Sequence, residues 1–271
     1  MTEGSIGREP LDAAATRRAN RTWWDDEAAP YYREHGGFLG DAELVWGPEG
    51  WTESDLRLLG PLDGVDALEI GAGAAQGSRY AVRCGARCIA SDLSAGMLRQ
   101  GRRIDDDRGS RVPLVQCDAT ELPFADHSFD LVFTAYGAVP FVADSARLMS
   151  EAHRVLRPGG RFVFSTTHPI RWVFLDEPGP EGLRAMLPYF DRTPYVERSP
   201  DGGPSYAEHH RTLGDRVREI VAAGLMLEDV VEPEWLPGNE QVWGGWSPTR
   251  GEIIPGTAIF CCRRPASDVE K

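Results

Sequence analysis

The sequence predicts an α/β fold built on a doubly wound sheet. Three observations carry that expectation. Residues 65–70 form a short apolar run that ends in a glycine-rich turn, Gly71-Ala72-Gly73. A second apolar run closes on an acid, Asp92, about twenty positions beyond Gly71, where such folds hold a ribose. Further short apolar runs then alternate with stretches of helical period, as β-α-β units do.

The first turn sets the geometry. Gly71 and Gly73 carry no Cβ, so the backbone can turn tightly and approach a ligand closely. Residues 78–82 begin a helix whose N-terminal N–H groups face that ligand. A dinucleotide fingerprint would place a third glycine where Gln76 stands. Glu69, at the end of the strand, would repel a pyrophosphate but suits a cofactor with a cationic amino-acid tail.

The other elements follow in order. Residues 1–20 are small, polar and charged, and read as a disordered arm. Residues 21–60 place Trp23, Trp24 and Tyr31 among acids, as a helical cover would, and end in a helix over 53–59. The second strand, 86–91, reaches Asp92; Ser94 caps the next helix and Met97 lies in its first turn. A third strand, 112–117, runs into Asp118-Ala119-Thr120. A fourth, 130–134, opens on Tyr136, Gly137 and Phe141. Asp144 then caps a helix whose buried face is Leu148, Ala152, Val155 and Leu156. Arg157-Pro158-Gly159-Gly160 stops it. The fifth strand, 161–166, ends at Thr167 and His168. Residues 170–212 form a long excursion rich in aromatics, without a clear period. A helical face, Leu213, Val217, Ile220 and Val221, precedes two late strands, 225–231 and 257–262, and a tail over 265–271. Residues 21–264 are therefore expected to form one domain.

Bulk properties narrow the partners. The 271 residues carry 29 basic and 42 acidic side chains, a net charge of −13. That disfavours nucleic acid or an anionic membrane as the main partner. The five cysteines contain no C-x-x-C pair, so a reduced, cytoplasmic chain without a bound metal is expected. No signal peptide or membrane span is read from the apolar runs.

At this point the chain resembles the class I S-adenosylmethionine-dependent methyltransferases, in their small-molecule, type 11 branch. Four motifs carry the resemblance: Leu68 to Gly73, Asp92-Leu93-Ser94, Asp118-Ala119-Thr120 with Leu122-Pro123-Phe124, and Arg154 to Gly160. It implies a Rossmann-like seven-stranded sheet in the order 3-2-1-4-5-7-6, with the last strand antiparallel. It implies a cofactor, S-adenosylmethionine, with S-adenosylhomocysteine as product. Glu69, Gly71, Ala72 and Gly73 would hold the methionine end and Asp92 the ribose. Asp118 and Ala119 would read the adenine edge, and Leu93 and Met97 would pack on its ring. Thr134 and Ala135 would lie near the reactive methyl, and Tyr31 would reach the cofactor from the cover. Ala75 departs from the family's third glycine and points to a slightly altered loop.

Methyl transfer needs a nucleophile held in line and water kept out. A hydroxyl acceptor also gains from a base. His168, at the tip of the fifth strand, is the first candidate, with His209 and His210 next and Tyr136 as an orienting group. Trp172, Phe174, Tyr189, Phe190, Tyr195 and Tyr206 would wall a chamber together with the cover. The expected function is methyl transfer to a hydroxyl or amino group of a small molecule. A cofactor-binding protein without turnover and a nicotinamide-dinucleotide oxidoreductase are the rival readings.

Overall fold

The computed structural model describes residues 5–266. Its elements are β1 (Ser5–Arg8), α1 (Ala13–Leu39), α2 (Glu53–Leu56), β2 (Asp66–Ile70), α3 (Gln76–Arg83), β3 (Arg87–Asp92), α4 (Ala95–Arg108) and β4 (Leu114–Gln116). They continue with β5 (Phe129–Ala135), α5 (Ser145–Val155), β6 (Leu156–Thr167), β7 (Tyr195–Arg198), β8 (Pro204–Glu208), α6 (Leu213–Ala222), β9 (Met226–Val231), α7 (Pro248–Gly251) and β10 (Thr257–Arg263).

Seven strands form one sheet in the order β4-β3-β2-β5-β6-β10-β9. Counted within that sheet alone, this is the expected 3-2-1-4-5-7-6. β2, β3, β4, β5 and β6 pair in parallel, and β10 runs antiparallel to both neighbours. Successive side chains of a strand face opposite sides, so the central strands feed two cores. Leu68, Val132, Phe162 and Phe260 pack under Leu148, Ala152 and Val155 of α5 and Ile220 of α6. Ala67, Leu131, Val163 and Ile259 pack on the other side against Tyr80, Ala81 and Trp46. Parallel strands buried on both faces must be apolar almost throughout, which is why β2 and β5 read as continuous runs.

The termini of the helices follow local chemistry. The Asp144 carboxylate accepts from Arg147 N–H and starts α5, and Ser94 Oγ accepts from Met97 N–H and starts α4. α2 is shorter than the helix expected over 53–59. Arg57 turns left-handed at φ 56°, and the Glu53 carboxylate takes the freed N–H groups of Leu58 and Leu59. That carboxylate also accepts from Trp46 Nε1 at 3.0 Å. Trp46 therefore belongs to the core rather than to a cover.

The arm expected over residues 1–20 is ordered from residue 5. β1 adds to the edge of β7, with Ser5 opposite Arg198 and Arg8 opposite Tyr195. Asp12 caps α1 through Ala15 N–H at 2.7 Å. Neither contact needs apolar side chains, so composition gave no sign of either. Residues 1–4 of that arm, and residues 267–271 of the expected tail, lie outside the described residues. β7 and β8, within the excursion over 170–212, make a second, three-stranded sheet with β1. No helix among the described residues is long and apolar enough to cross a membrane.

Candidate active site

All the parallel strands of the large sheet end on one edge, so the loops after β2, β3, β4 and β5 meet there. They line a cavity of about 450 Å³. Gly71 to Ala74, Asp92, Leu93, Asp118, Ala119, Ala135 and Tyr136 face it from the sheet.

The turn after β2 depends on its glycines. Gly71 has φ +62°, and a Cβ there would lie 2.5 Å from the carbonyl carbon of Gly137. The loops after β2 and β5 thus touch backbone to backbone. A Cβ on Gly73 would meet Met97 Cε at 3.0 Å. Ala75 takes φ 62° in spite of its methyl, at a cost of about 1 kcal/mol. The altered residue thus keeps the left-handed turn that a glycine would adopt freely.

Two acids stand beside this turn. Glu69 is buried; its Oε2 accepts from Ser78 N–H at 2.7 Å and Ser78 Oγ–H at 2.5 Å. Burial pushes its carboxyl up to about 7, and the nearby Asp92 charge adds to the shift. Asp92 accepts from Gly73 N–H and Ser94 N–H, both at 2.8 Å. Burial pushes it up to about 6, with Asp25 contributing. Asp118 differs. Burial raises it, but bonds from Thr120 and Arg17 prevail and hold it below its ordinary value. Its Oδ1 accepts from Thr120 N–H at 2.8 Å and its Oδ2 from Arg17 at 3.1 Å.

Helix α1 spans the opening. At 1.5 Å per residue its 27 residues reach about 40 Å. Arg17 binds Asp118, and Asp25 Oδ1 accepts from Ser94 Oγ–H and Gly96 N–H at 2.7 Å each. The Asn20 amide pairs with the backbone of Ala207 in β8. Trp23 packs on Tyr206 at 4.9 Å and Trp24 on Phe141 at 5.6 Å. The two segments expected to cover the mouth therefore close on each other. Of the expected chamber aromatics, Trp23, Trp24, Tyr31, Tyr195 and Tyr206 line the cavity. Trp172 and Phe174 are buried away from it, and Phe190 is exposed.

The expected bases are placed elsewhere. Thr167 lines the cavity, and side-chain alternation turns the next residue, His168, away. His168 Nε2 meets Glu232 Oε1 at 2.7 Å, and its Nδ1 accepts from Ile170 N–H at 3.1 Å. His209 bonds Thr16 Oγ1 at 3.1 Å and His210 bonds the Tyr189 carbonyl at 2.7 Å. Burial lowers both to about 4. His168 and His210, expected as bases at the cavity, are thus corrected: neither lines it. Tyr136 does face the cavity, but its hydroxyl donates to the Gly256 carbonyl at 2.8 Å and burial raises its pKa well above 10. That hydroxyl therefore keeps its proton near neutrality. Thr134 is also off the wall: it is fully buried, and its Oγ1 has no hydrogen-bond partner among the described residues.

The sequence reading missed several lining residues: Arg171, Asp176, Glu197, Glu208 and His35. The signal was present for two of them. Tyr195-x-Glu197 and Tyr206-x-Glu208 alternate on either side of Asp201-Gly202-Gly203, which is a hairpin pattern.

Residues 68–164 match the family described as a methyltransferase domain, type 11. A demethylmenaquinone methyltransferase of Mycobacterium sp. (strain JLS) is 38% identical over 180 residues, which are 64% of this chain and 73% of the relative. The S-adenosylmethionine dependent methyltransferase from Mesorhizobium loti has a TM-score of 0.62 at 28% identity, covering 77% of this chain and 95% of that one. The 1,6-didemethyltoxoflavin-N1-methyltransferase of Burkholderia thailandensis was solved with 1,6-didemethyltoxoflavin and S-adenosylhomocysteine bound. It has a TM-score of 0.58 at 17% identity, over 98% of this chain and 97% of that one, a likeness of fold.

Proposed function

The chain belongs to the class I S-adenosylmethionine-dependent methyltransferases, and from that premise we propose that its methyl acceptor is a hydroxyl or amino group of a small molecule. It is an enzyme whose cofactor is S-adenosylmethionine and whose product is S-adenosylhomocysteine. When bound, the cofactor supplies a methyl made electrophilic by the sulfonium. The rest falls to this chain: binding, orientation and exclusion of water.

The residues fit such a cofactor. Glu69 and Asp92 are two carboxylates beside one turn, both raised first by burial, with the Asp92 charge adding to the rise of Glu69, and the ammonium group of an amino-acid tail relieves that corner. In this reading Glu69 and the turn Gly71 to Gly73 hold that tail, and Asp92 holds the ribose hydroxyls. Asp118 and Ala119 take the adenine edge, Leu93 and Met97 pack on the ring, and Ala135 and Tyr31 border the methyl end. α1 and the hairpin β7–β8 act as the cover that excludes water.

The acceptor reading rests on one observation. Beyond the Glu69 corner the cavity is lined by Asp176, Glu197 and Glu208. Ionised carboxylates only accept hydrogen bonds, so they recognise a molecule that donates, and O–H and N–H are the donors. With His168 and His210 turned away, in-line alignment carries most of the rate. A screen of phenols, alcohols and amines for S-adenosylhomocysteine release tests this. Turnover with at least one of these classes is expected. The 38% relative's name favours a second reading, a demethylmenaquinone-like acceptor, so a soluble analogue of that quinone is the other arm. Turnover with the analogue alone would overturn the first reading.

The corner acids also set a pH dependence. Both carboxyls are raised in the folded protein, so the stability they contribute is present below their unfolded values and is lost as pH rises through about 6 to 7. An ammonium group placed beside these acids reverses this by favouring the ionised forms. S-adenosylhomocysteine binding should therefore tighten from pH 5.5 to 7.5 and release up to about one proton near pH 6.5. Calorimetry in buffers of different ionisation enthalpy measures the proton. No release in wild type, or the same release from Glu69→Gln, would remove the corner from the cofactor site.

A further inference from the structure

The second sheet presents an ordered face to the cavity. Tyr195 lies opposite Glu208, and Glu197 lies opposite Tyr206. Cross-strand partners share a face, and so do residues two apart along a strand. The four side chains therefore form one patch of alternating tyrosine and glutamate, and all four line the cavity. Val196 and Ala207, between them, point to the other side and are buried. Tyr195 Oη donates to Glu197 Oε1 at 2.8 Å, and Tyr206 Oη donates to Glu208 Oε1 at 2.8 Å. The second oxygen of each carboxylate has no hydrogen bond from protein among the described residues.

The surroundings are electron-rich. Trp23 packs edge-on against Trp24 at 4.6 Å and lies 4.9 Å from Tyr206, and Tyr31, Trp243 and Trp246 line the same cavity. Aromatic faces attract cations, and neutral polar groups only weakly. Arg171 is the one arginine among the lining residues, and it is engaged by Asp176 at 2.8 Å. Three carboxylates thus stand against one guanidinium at this end. Burial raises Glu208 above its ordinary value, and Asp176 and Glu197 add to the rise while Arg171 opposes it. A neutral acceptor would leave that charge uncompensated in an enclosed space.

We propose that the methyl acceptor is an organic cation whose ammonium group is seated on the Glu197–Glu208 face and enclosed by the aromatic walls. That ammonium has no lone pair and is not the atom methylated. A separate hydroxyl or neutral amino group of the same molecule attacks the methyl as its bond to the sulfonium sulfur breaks, and gives its own proton to solvent. The proposal rests on the reading of this cavity as the acceptor site. Each glutamate's second oxygen takes an N–H or the ammonium charge, while its tyrosine fixes the first. Charge-assisted bonds of this kind are about twice as strong as neutral ones. The Glu–Tyr pairs thereby select for charge, and the tryptophans select for a group that shows apolar surface around it.

The test uses the full chain saturated with S-adenosylhomocysteine and two probes of one shape. Choline carries the charge; 3,3-dimethyl-1-butanol is its neutral twin. Calorimetry should find choline bound at least about tenfold more tightly than the alcohol. Glu208→Gln should reduce choline affinity about tenfold while leaving the affinities for the alcohol and for S-adenosylhomocysteine unchanged. Glu197→Gln should act in the same direction and serves as the second variant if the first does not fold. Equal affinity for the two probes, binding of neither, or indifference of choline to both substitutions overturns the proposal. Failure of S-adenosylhomocysteine itself to bind would overturn the underlying methyltransferase site instead, so the two failures are told apart in the first titration.

Discussion

Asp105→Ala is expected to cost about 3–5 kcal/mol of folding stability, the range for removing one partner of a buried ion pair. Asp105 is fully buried on α4. It accepts from Arg79 and Arg102 at 3.2 Å each, and from Ser110 Oγ–H and Val112 N–H at 3.1 Å. Arg79 is buried too; its Nη1 also reaches the Gly101 carbonyl, its Nε donates to the carbonyl of Asp41 and its Nη2 to that of Ala74. Ala74 belongs to the turn after β2, so this pair ties the cofactor loop to α4. Without Asp105 the Arg79 charge is left in the interior with only carbonyl partners. Domains are stable by about 5–15 kcal/mol, so the variant should unfold at a markedly lower urea midpoint. Replacing both residues, Arg79→Met with Asp105→Leu, should recover part of the loss, because neither charge then remains buried alone. A loss under about 1 kcal/mol for Asp105→Ala would mean that the pair is not what holds the turn.

That pair was not legible in the sequence. Asp105 is one of three consecutive acids, Asp105 to Asp107, and only packing against α3 singles out the first. The sheet was legible because its signals are local. Residues 66–70 pass straight into Gly71, the acid at Asp92 ends β3, and Asp144 and Ser94 cap the helices where expected. The lining of the cavity was legible to within a residue or so at these positions, and that margin matters. Position along the chain brought His168, Thr134 and His210 to the correct edge. A strand's period of two then decides which of two adjacent side chains faces the ligand. Thr167 took the place expected for His168; of the expected pair Thr134 and Ala135 only Ala135 lines the cavity, and Glu208 lines it two residues before His210. Nothing in the local sequence at 134 or 167 fixes that parity, because β5 and β6 are buried on both faces and show no alternation. At β7 and β8 the alternation is present, but the strands are only 4 and 5 residues long, with Pro194 and Pro200 close by and Pro204 as the first residue of β8. Proline within a run reads as an edge strand or as no strand.

Asp92→Ala is expected to weaken S-adenosylhomocysteine binding by about 1.5–3 kcal/mol, the worth of hydrogen bonds to a charged group. That is a loss of about 10- to 150-fold in affinity. Two routes could produce it. In the proposed role the carboxylate accepts directly from the ribose hydroxyls. It also accepts from Gly73 N–H at 2.8 Å, so its removal frees the turn that holds the other end of the ligand. The 2′-deoxy form of the ligand separates the routes. If Asp92 binds the ribose, wild type should prefer the full ligand and Asp92→Ala should lose most of that preference. If Asp92 acts only through Gly73, both ligands should weaken equally and the preference should survive. Asp25→Asn supplies the control on charge, since Asp25 helps to raise Asp92 but lies on the cover, bonded to Ser94 and Gly96. It should leave the ribose preference intact while loosening α1 from α4. A preference for the full ligand that is unchanged in folded Asp92→Ala would end the ribose assignment, whatever the loss in overall affinity.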